Sequence, residues 1–387
     1  MAMIKQDWKN KGYVCEPVPE GIDIRQEIAR LKKEKNAVIL AHYYTEAPLQ
    51  EIADFVGDSL ALARKAAQTE ADMIVMCGVH FMGETCKILC PDKKVLIPDL
   101  NASCSLAESC PADQFKAFVE AHPGYKVISY VNTTAATKTV TDVVVTSGNA
   151  KQIVESFPKD QKLIFGPDKN LGEYINQITG RHMLLWNGAC HVHERFSVPK
   201  ILELKKQYPH AKVLVHPECK GPVVKLADVV GSTANLLKYA INSPEKQFIV
   251  ATESGILYEM QRQAPDKEFI PVPPQFSESE PAAISIDAAA TPSNGTASSS
   301  NGTTSTSDTG TSPSNGTTSS PNASPRIPDR SFDCGCNECA FMRLNTLPKL
   351  YNTLRYEWPE VKIAPEIISA ARKPIDEMLR ISAKLGI

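Results

Sequence analysis

A threefold internal repeat constrains the fold of this 387-residue chain more than any other feature of its sequence. Three stretches share one pattern: an apolar strand, a polar turn, a short helical stretch ending in Asp-x-Val, and a Ser or Thr that opens another helix. They lie at 38–66, 127–156 and 213–240. The aspartates of the pattern, Asp54, Asp142 and Asp228, are 88 and 86 positions apart. Self-similarity at a fixed period indicates repeated structural units.

Two further apolar strands follow in each repeat. The second strands are expected at 72–78, 162–168 and 247–254, and the third at 94–100, 182–188 and 268–273. Strands that alternate with helices form parallel sheets, and continuous apolar strands fit sheets covered on both faces. The sequence therefore predicts an α/β fold of three pseudo-symmetric three-layer modules with small parallel sheets around a central site. Loops after the carboxyl ends of the strands would face that site.

The predicted modules cover residues 1–108 (with an N-terminal segment), 109–194 and 195–276. Residues 277–330 are rich in Ser, Thr, Asn, Gly and Pro and nearly free of apolar residues, so they are predicted to form a disordered insertion. Residues 331–387 hold a cysteine cluster and C-terminal helices, of which the stretch 365–386 is the most clearly amphipathic.

Composition narrows the class of protein. Apolar residues make up 42% of the chain, charged residues 22%, and the net charge is −2. These values are typical of a soluble globular protein and give no basic field for binding nucleic acid or an acidic membrane surface. With no membrane-spanning stretch and no secretory signal, we expect a cytoplasmic protein. In a reducing compartment, its eleven cysteines are better suited to packing, metal binding or catalysis than to disulfides.

Three cysteines keep register with the repeat. Cys104 and Cys190 follow the third strands of the first two modules and are 86 positions apart. Cys339 comes 149 positions after Cys190, or 95 when the 54-residue insertion is left out. One thiolate from each module, with a fourth ligand missing, suits a [4Fe-4S] cluster, one per chain, with one iron not ligated by cysteine. Such an iron acts as a Lewis acid.

Other interpretations of the cysteines remain open from the residues alone. Cys334, Cys336 and Cys339 lie within six positions and could form a local zinc knuckle, although structural zinc prefers four such ligands. Cys334 and Cys336 could instead be a redox pair. Cys219, in a loop at a strand end, is the closest rival to the three cysteines in register.

Polar residues recur at the ends of the first strands and at expected helix starts. At the strand ends are His42, Tyr43, Tyr44, Tyr130, Asn132, Thr133, His216, Glu218 and Cys219. Expected to open helices are Ser59, Ser147 and the pair Ser232–Thr233. A hydroxyl and free N–H groups at a helix N-terminus bind carboxylate or phosphate, so we expect a pocket for a small molecule with several anionic groups. Beside Cys190, His193 is preferred over His191.

Several of these segments together resemble the quinolinate synthase family. They include "AHYYTEAPLQEIADFVGDS", "CGVHFMGETCKIL", "VLIPDLNASCSLA", "SYVNTTAATK", "TSGNA", "WNGACHVHERF", "VHPEC", "DVVGSTA" and "ECAFMRLNTL". The resemblance runs from residue 39 to 350 without the insertion, which compact members lack. It implies three pseudo-symmetric α/β domains, a [4Fe-4S] cluster on three cysteines, and a transferase that condenses iminoaspartate with dihydroxyacetone phosphate. The product would be quinolinate, with release of phosphate and water, in de novo NAD biosynthesis.

The resemblance also implies residue roles. The cluster ligands would be Cys104, Cys190 and Cys339. Glu218 would abstract a proton beside a carbonyl, with His216 as orienting partner or acid, and Tyr44, Tyr130 and His193 would complete the catalytic set. The substrate-binding residues would be His42, Ser59, Asn132, Ser147, His216, Glu218, Ser232 and Thr233. An L-aspartate-oxidising enzyme that supplies iminoaspartate would be a functional partner.

Three other functions compete with this one. A cluster-dependent hydro-lyase acting on a di- or tricarboxylate would need the same open iron and anion pocket, but no phosphate site. A cluster-based redox sensor would need no catalysis, although the sequence has no DNA-reading element or basic patch. A zinc protein would use the cysteines at 334–339 alone.

Overall fold

The computed structural model describes residues 2–275 and 337–386. The first of its parallel sheets lies near the N-terminus. The strand order is β2-β1-β3-β4. Alternate residues of β1 face opposite ways: Val38 and Leu40 enter one apolar core, and Ile39 and Ala41 another. This two-sided burial explains the unbroken apolar run. The elements are α1 (Ala2–Lys11), α2 (Ile24–Glu34), β1 (Ala37–His42), α3 (Ala47–Ile52), β2 (Phe55–Gly57), α4 (Ser59–Gln68), β3 (Met73–Cys77), α5 (His80–Leu89), β4 (Lys94–Leu96) and α6 (Ser105–Glu108).

The second sheet repeats this arrangement with the order β6-β5-β7-β8. All of its strand pairs are parallel. Its elements are α7 (Ala112–Glu120), β5 (Lys126–Tyr130), α8 (Ala135–Lys138), β6 (Val143–Val145), α9 (Ala150–Ser156), β7 (Leu163–Gly166), α10 (Lys169–Thr179), β8 (Leu184–Leu185) and α11 (His191–Glu194).

The third sheet has the equivalent order β10-β9-β11-β12, again with parallel pairs only. Its elements are α12 (Val198–Gln207), β9 (Lys212–Val215), α13 (Gly221–Val224), β10 (Val229–Val230), α14 (Thr233–Asn242), β11 (Gln247–Ala251), α15 (Ile256–Gln263) and β12 (Glu268–Pro271). The α/β fold of three pseudo-symmetric modules with small parallel sheets is therefore confirmed. The module boundaries at residues 108, 194 and 276 stay predictions.

Each sheet has four strands, so the expectation of three strands per module was wrong. The additional strand begins within the Asp-x-Val element that was taken as the end of a helical stretch: β2, β6 and β10 are only two or three residues long. These short strands follow closely after a helix, so the sequence pattern did not separate their few apolar residues from the helical stretch. It forms because the neighbouring first strand supplies a hydrogen-bonding edge.

The repeated aspartates hold these short edge strands in place. Asp54 Oδ2 accepts the backbone N–H of Ile39 at 2.8 Å. Asp142 does the same for Val127, and Asp228 for Val213, each at 2.8 Å. The backbone of each aspartate also donates to the carbonyl of the same partner. The most regular feature of the repeat is therefore structural, because it joins the edge strand to the first strand.

The C-terminal segment packs over the first two modules. Its predicted helices are confirmed: a 3₁₀ turn at Met342–Leu344 precedes α16 (Leu347–Tyr356) and α17 (Pro365–Leu385). Helix α16 packs on α2, while α17 packs on α5, α8, α9 and β6. Asn149 Nδ2 donates to Ser382 Oγ at 3.1 Å, which ties α17 to the start of α9. The predicted disordered insertion at 277–330, together with Cys334 and Cys336, lies outside the described residues.

Within residues 2–275 and 337–386, every helix is too short or too polar to cross a membrane.

Candidate active site

One cavity collects side chains from all three modules and from the C-terminal segment. The ends of the three first strands each contribute two side chains, two positions apart: His42 and Tyr44, Tyr130 and Asn132, and His216 and Glu218. The rest of the lining is formed by Asp58, Ser59, Val79, Phe81, Met82, Cys104, Thr146, Ser147, Cys190, Val192, His193, Thr233, Glu253, Cys339 and Met342. The carboxyl ends of parallel strands thus converge on one site.

His42 and His216 occupy equivalent positions and make equivalent backbone contacts. His42 Nδ1 accepts the N–H of Tyr44 at 3.2 Å, and His216 Nδ1 accepts the N–H of Glu218 at 3.3 Å. Burial lowers the pKa of both imidazoles to about 3, so both are neutral. Because Nδ1 accepts, the proton of each ring lies on Nε2. Both histidines therefore offer an N–H donor; His216 Nε2 lies 3.2 Å from Ser147 Oγ.

Glu218 is the centre of a buried polar network. Its Oε1 accepts the hydroxyl of Tyr130 at 2.7 Å, and its Oε2 lies 3.0 Å from His193 Nδ1. Burial acts to raise the pKa of Glu218, but its interactions with His193 and His216 and the hydrogen bond from Tyr130 outweigh burial and lower the pKa. Burial raises the pKa of the Tyr130 and Tyr44 hydroxyls well above 10. The site thus holds an ionised carboxylate between protonated donors.

The three cysteines in register all reach this cavity. Each begins a similar turn, because its carbonyl accepts the N–H four positions on: Cys104 from Glu108, Cys190 from Glu194, and Cys339 from Arg343. Burial raises the pKa of the Cys104 and Cys339 thiols to about 12 and that of Cys190 well above 9. The matching turns make Cys339 the local counterpart of the other two, despite the insertion that precedes it.

Two buried carboxyl groups near the thiols were missed by the sequence analysis. Asp168 Oδ2 accepts the N–H of Cys190, and Glu253 Oε1 accepts the N–H of Cys339, each at 3.0 Å. Both follow the second long strand of their module, and burial raises the pKa of both, that of Glu253 to about 8. An acidic residue two positions after strands β7 and β11 is visible in the sequence. It was missed because only the ends of the first strands were considered.

The comparisons with known proteins agree with this geometry. The family model described as "Quinolinate synthetase A protein" matches residues 26–286. Quinolinate synthase of Synechococcus sp. is 47% identical over 93% of this chain and 96% of its own length. Those of Nostoc punctiforme and Thermosynechococcus vestitus are 47% and 46% identical, over 93% and 95% of this chain and 94% and 97% of theirs. The chain belongs to the quinolinate synthase family. The resemblance noted from the sequence motifs is confirmed.

The quinolinate synthase family model covers Cys104 and Cys190 but ends before Cys339. For Cys339, the structural arguments are its matching turn and its position in the cavity lining. Cys219, the rival from the sequence, is 1% exposed, and its Sγ lies 3.5 Å from the Ala251 carbonyl oxygen. Among the described residues, it is not part of the cavity lining.

The hydroxyl residues expected at helix starts differ in position. Ser59 is the first residue of α4, which Asp58 caps, and Thr233 is the first residue of α14. Ser232 caps α14 by accepting the N–H of Asn235, and it lies outside the cavity lining of the described chain. The expectation that Ser147 opens a helix was wrong. It lies in the turn before α9, which begins at Ala150, yet its hydroxyl still reaches the cavity.

The two candidate histidines of the CHVHERF segment separate because the segment folds as a single helical turn. His193 is 2% exposed, stacks on His216 with ring centroids 4.6 Å apart, and lines the cavity. His191 turns away, and its Nδ1 lies 2.7 Å from Ser105 Oγ. The preference for His193 from the sequence therefore agrees with the geometry.

A buried lysine, which the sequence analysis did not single out, supports the loop that carries Asn132. Lys138 is fully buried, and its ammonium donates to the carbonyls of Val131, at 2.9 Å, and Thr133. Asn132 lies between them, and its Oδ1 is buried without a hydrogen-bond partner in the described part of the chain. An unpaired buried acceptor at a cavity is available to a donor group of a ligand.

Proposed function

We propose that this chain is a cytoplasmic quinolinate synthase that condenses iminoaspartate with dihydroxyacetone phosphate. The product is quinolinate, with release of phosphate and water, as a step of de novo NAD biosynthesis. Membership of the family supports the activity. We also propose a functional link to an L-aspartate-oxidising enzyme, because iminoaspartate must be supplied by oxidation of an amino acid.

The observation that carries this proposal is the presence of three thiols and an ionised carboxylate network in one cavity. Among the described lining residues there is neither Lys nor Arg, although the substrates carry two carboxylates and a phosphate. A positively charged partner would stabilise both the thiolates and the bound anions. A [4Fe-4S] cluster held by Cys104, Cys190 and Cys339 fits this donor set.

When bound, such a cluster supplies one iron with an open coordination position, which acts as a Lewis acid. The cysteine side chains are oriented by their surroundings. Asp168 and Glu253 hold the backbone N–H groups of Cys190 and Cys339, and His193 Nδ1 lies 3.3 Å from Cys190 Sγ. Partners of this kind fix the orientation of ligand side chains.

The proton transfers are assigned to residues around Glu218. The carboxylate of Glu218 accepts a proton from the carbon beside a substrate carbonyl, and the hydroxyl of Tyr130 holds that carboxylate in place. His216 and His42 are neutral and donate from Nε2 to substrate oxygens. Tyr44, whose raised pKa keeps it protonated, is a further donor in the cavity lining.

The anionic groups of the substrates bind to hydroxyls and helix starts. Ser59 and Thr233 are the first residues of ten-residue helices, α4 and α14, whose N-terminal N–H groups attract anions. Ser147 adds a hydroxyl, and Asn132 adds a free acceptor for an amine or hydroxyl group. Positioning two small anions side by side supplies much of the rate of a condensation.

The test is an assay on anaerobically purified full-length protein. Iron and acid-labile sulfide are measured per chain, and quinolinate is measured after addition of iminoaspartate and dihydroxyacetone phosphate. We expect cluster-bound protein that forms quinolinate only when both substrates are present. Protein with a full cluster that forms no quinolinate would refute the proposed activity. Formation of quinolinate by iron-free protein would refute the proposal that the reaction needs the cluster.

A further inference from the structure

Thr252 connects two residues of the proposed catalytic set, although neither the sequence motifs nor the cavity lining point to it. It follows β11 directly and is 2% exposed. Its hydroxyl oxygen lies 3.1 Å from His193 Nε2 and 3.2 Å from the hydroxyl of Tyr44. The side chain therefore joins a residue of the first module to the histidine beside Cys190.

The ring of His193 has a partner at each of its two nitrogens. The ionised carboxylate of Glu218 only accepts, so His193 donates to it from Nδ1, which lies 3.0 Å from Glu218 Oε2. At the other nitrogen, Nε2, the partner is the Thr252 hydroxyl. The ring is therefore held from both sides.

Tyr44 also has two hydroxyl partners. Its hydroxyl oxygen lies 2.7 Å from Thr233 Oγ1 and 3.2 Å from Thr252 Oγ1. A hydroxyl group has one proton and two acceptor sites, so Thr252 can bond to Tyr44 and His193 at the same time. The hydrogen bonds thus join Thr233, Tyr44, Thr252 and His193 in one continuous chain.

We propose that Thr252 is a positioning residue that fixes the ring of His193 and the hydroxyl of Tyr44. Without the Thr252 hydroxyl, His193 Nε2 loses its hydrogen-bond partner, and the ring is free to rotate. Tyr44 loses one of its two partners in the same step. This inference rests on the proposed function, because the effect on turnover requires His193 and Tyr44 to act on substrate.

Two substitutions separate the hydroxyl from the packing of the side chain. Thr252→Val keeps the shape and removes the hydroxyl, whereas Thr252→Ser keeps the hydroxyl and removes a methyl group. A matched control is Thr353→Val in α16: Thr353 is fully buried, and its hydroxyl has no hydrogen-bond partner among the described residues. All variants are prepared as full-length, cluster-loaded protein.

We expect Thr252→Val to lower kcat about 10- to 100-fold, the effect typical of losing an orienting partner. KM, iron content and thermal stability should stay near wild type, and the pH profile of kcat should change. Thr252→Ser should recover most of the rate, and Thr353→Val should behave as wild type. A Thr252→Val enzyme with wild-type kcat and pH profile would overturn the inference, as would a Thr252→Ser enzyme equally impaired.

A second measurement does not depend on turnover. Nitrogen-15 NMR of histidine-labelled full-length protein reports which ring nitrogen carries the proton, with His193 assigned through a His193→Gln variant. We expect the Nε2 signal of His193 to shift in Thr252→Val and to stay in Thr252→Ser. An unchanged signal in Thr252→Val refutes the role of Thr252 even in an inactive protein. A wild-type protein that forms no quinolinate refutes the proposed function instead.

Discussion

The Tyr130 hydroxyl donates a 2.7 Å hydrogen bond to Glu218 Oε1, and this bond links the end of β5 in the second sheet to the end of β9 in the third. Glu218 is 3% exposed and Tyr130 is 4% exposed. The carboxylate thus depends on a neighbouring module for one of its donors. The active site is complete only when the modules are assembled.

Replacing Glu218 tests its role in proton transfer separately from its role in joining the modules. Glu218→Gln keeps the shape but cannot take up a proton, so we expect kcat for quinolinate formation to fall about 100-fold or more. Tyr130→Phe, which only removes a supporting donor, should cost less. Anaerobic steady-state assays measure both, with the exposed Glu203→Gln as control. Unchanged kcat in Glu218→Gln would show that another group abstracts the proton.

Removing one cysteine should show whether the metal site is distributed over the chain. In Cys104→Ala the proposed cluster loses one of three ligands, so we expect most of the iron and acid-labile sulfide to be lost. Cys15→Ser, outside the cavity lining, should retain both. Iron and sulfide analysis after anaerobic reconstitution makes the comparison. Normal metal content in Cys104→Ala would instead favour a site confined to the cysteines at 334–339.

Asp142 should matter for stability and not for chemistry. Asp142→Ala leaves the N–H of Val127 without its 2.8 Å side-chain acceptor and removes the contact with Lys126, so we expect a loss of about 1–3 kcal/mol in unfolding free energy. Asp142→Asn keeps an acceptor and should cost less. Chemical denaturation followed by circular dichroism measures the difference. Equal losses in the two variants would contradict the role of the backbone hydrogen bond.

The contacts of Glu357, which lies outside the cavity lining, predict that the stability of the protein depends on pH. Hydrogen bonds from Lys35, at 2.6 Å, and from Lys94 lower the pKa of Glu357 below its ordinary value of 4.5. A carboxyl group whose pKa is lowered by folding stabilises the protein above the unfolded pKa. This contribution is lost as the pH falls through the folded value. Because Glu357 is only half-buried, solvent screening limits the effect to about 1 kcal/mol.

The comparison for this prediction is wild type against Glu357→Gln. Because the amide does not titrate, the difference in unfolding free energy should be largest near neutral pH and shrink as the pH falls below 4.5. Denaturation curves over that range measure it. A difference that stays constant or grows in acid would be inconsistent with the two lysine contacts.

Much of the architecture follows from local patterns along the chain. Asp54, Asp142 and Asp228 recur at a fixed period because each short edge strand needs the same side-chain acceptor for the first strand. Cys104 and Cys190 recur for a related reason, since each starts the same turn after the last strand of its module. Periodicity therefore predicted three sheets and the cysteine register, but it did not separate the edge strands β2, β6 and β10 from the helical stretches before them.

The sequence by itself determined the modules, the strand-end residues, and the grouping of Cys104, Cys190 and Cys339, because these depend on spacing within and between repeats. Only the tertiary structure decided which side chains touch. Thr252 meets Tyr44 and His193, Glu253 holds Cys339, and Lys138 supports the loop of Asn132. Such contacts join residues from separate segments of the fold, and their distances depend on packing, which no periodicity along the chain records.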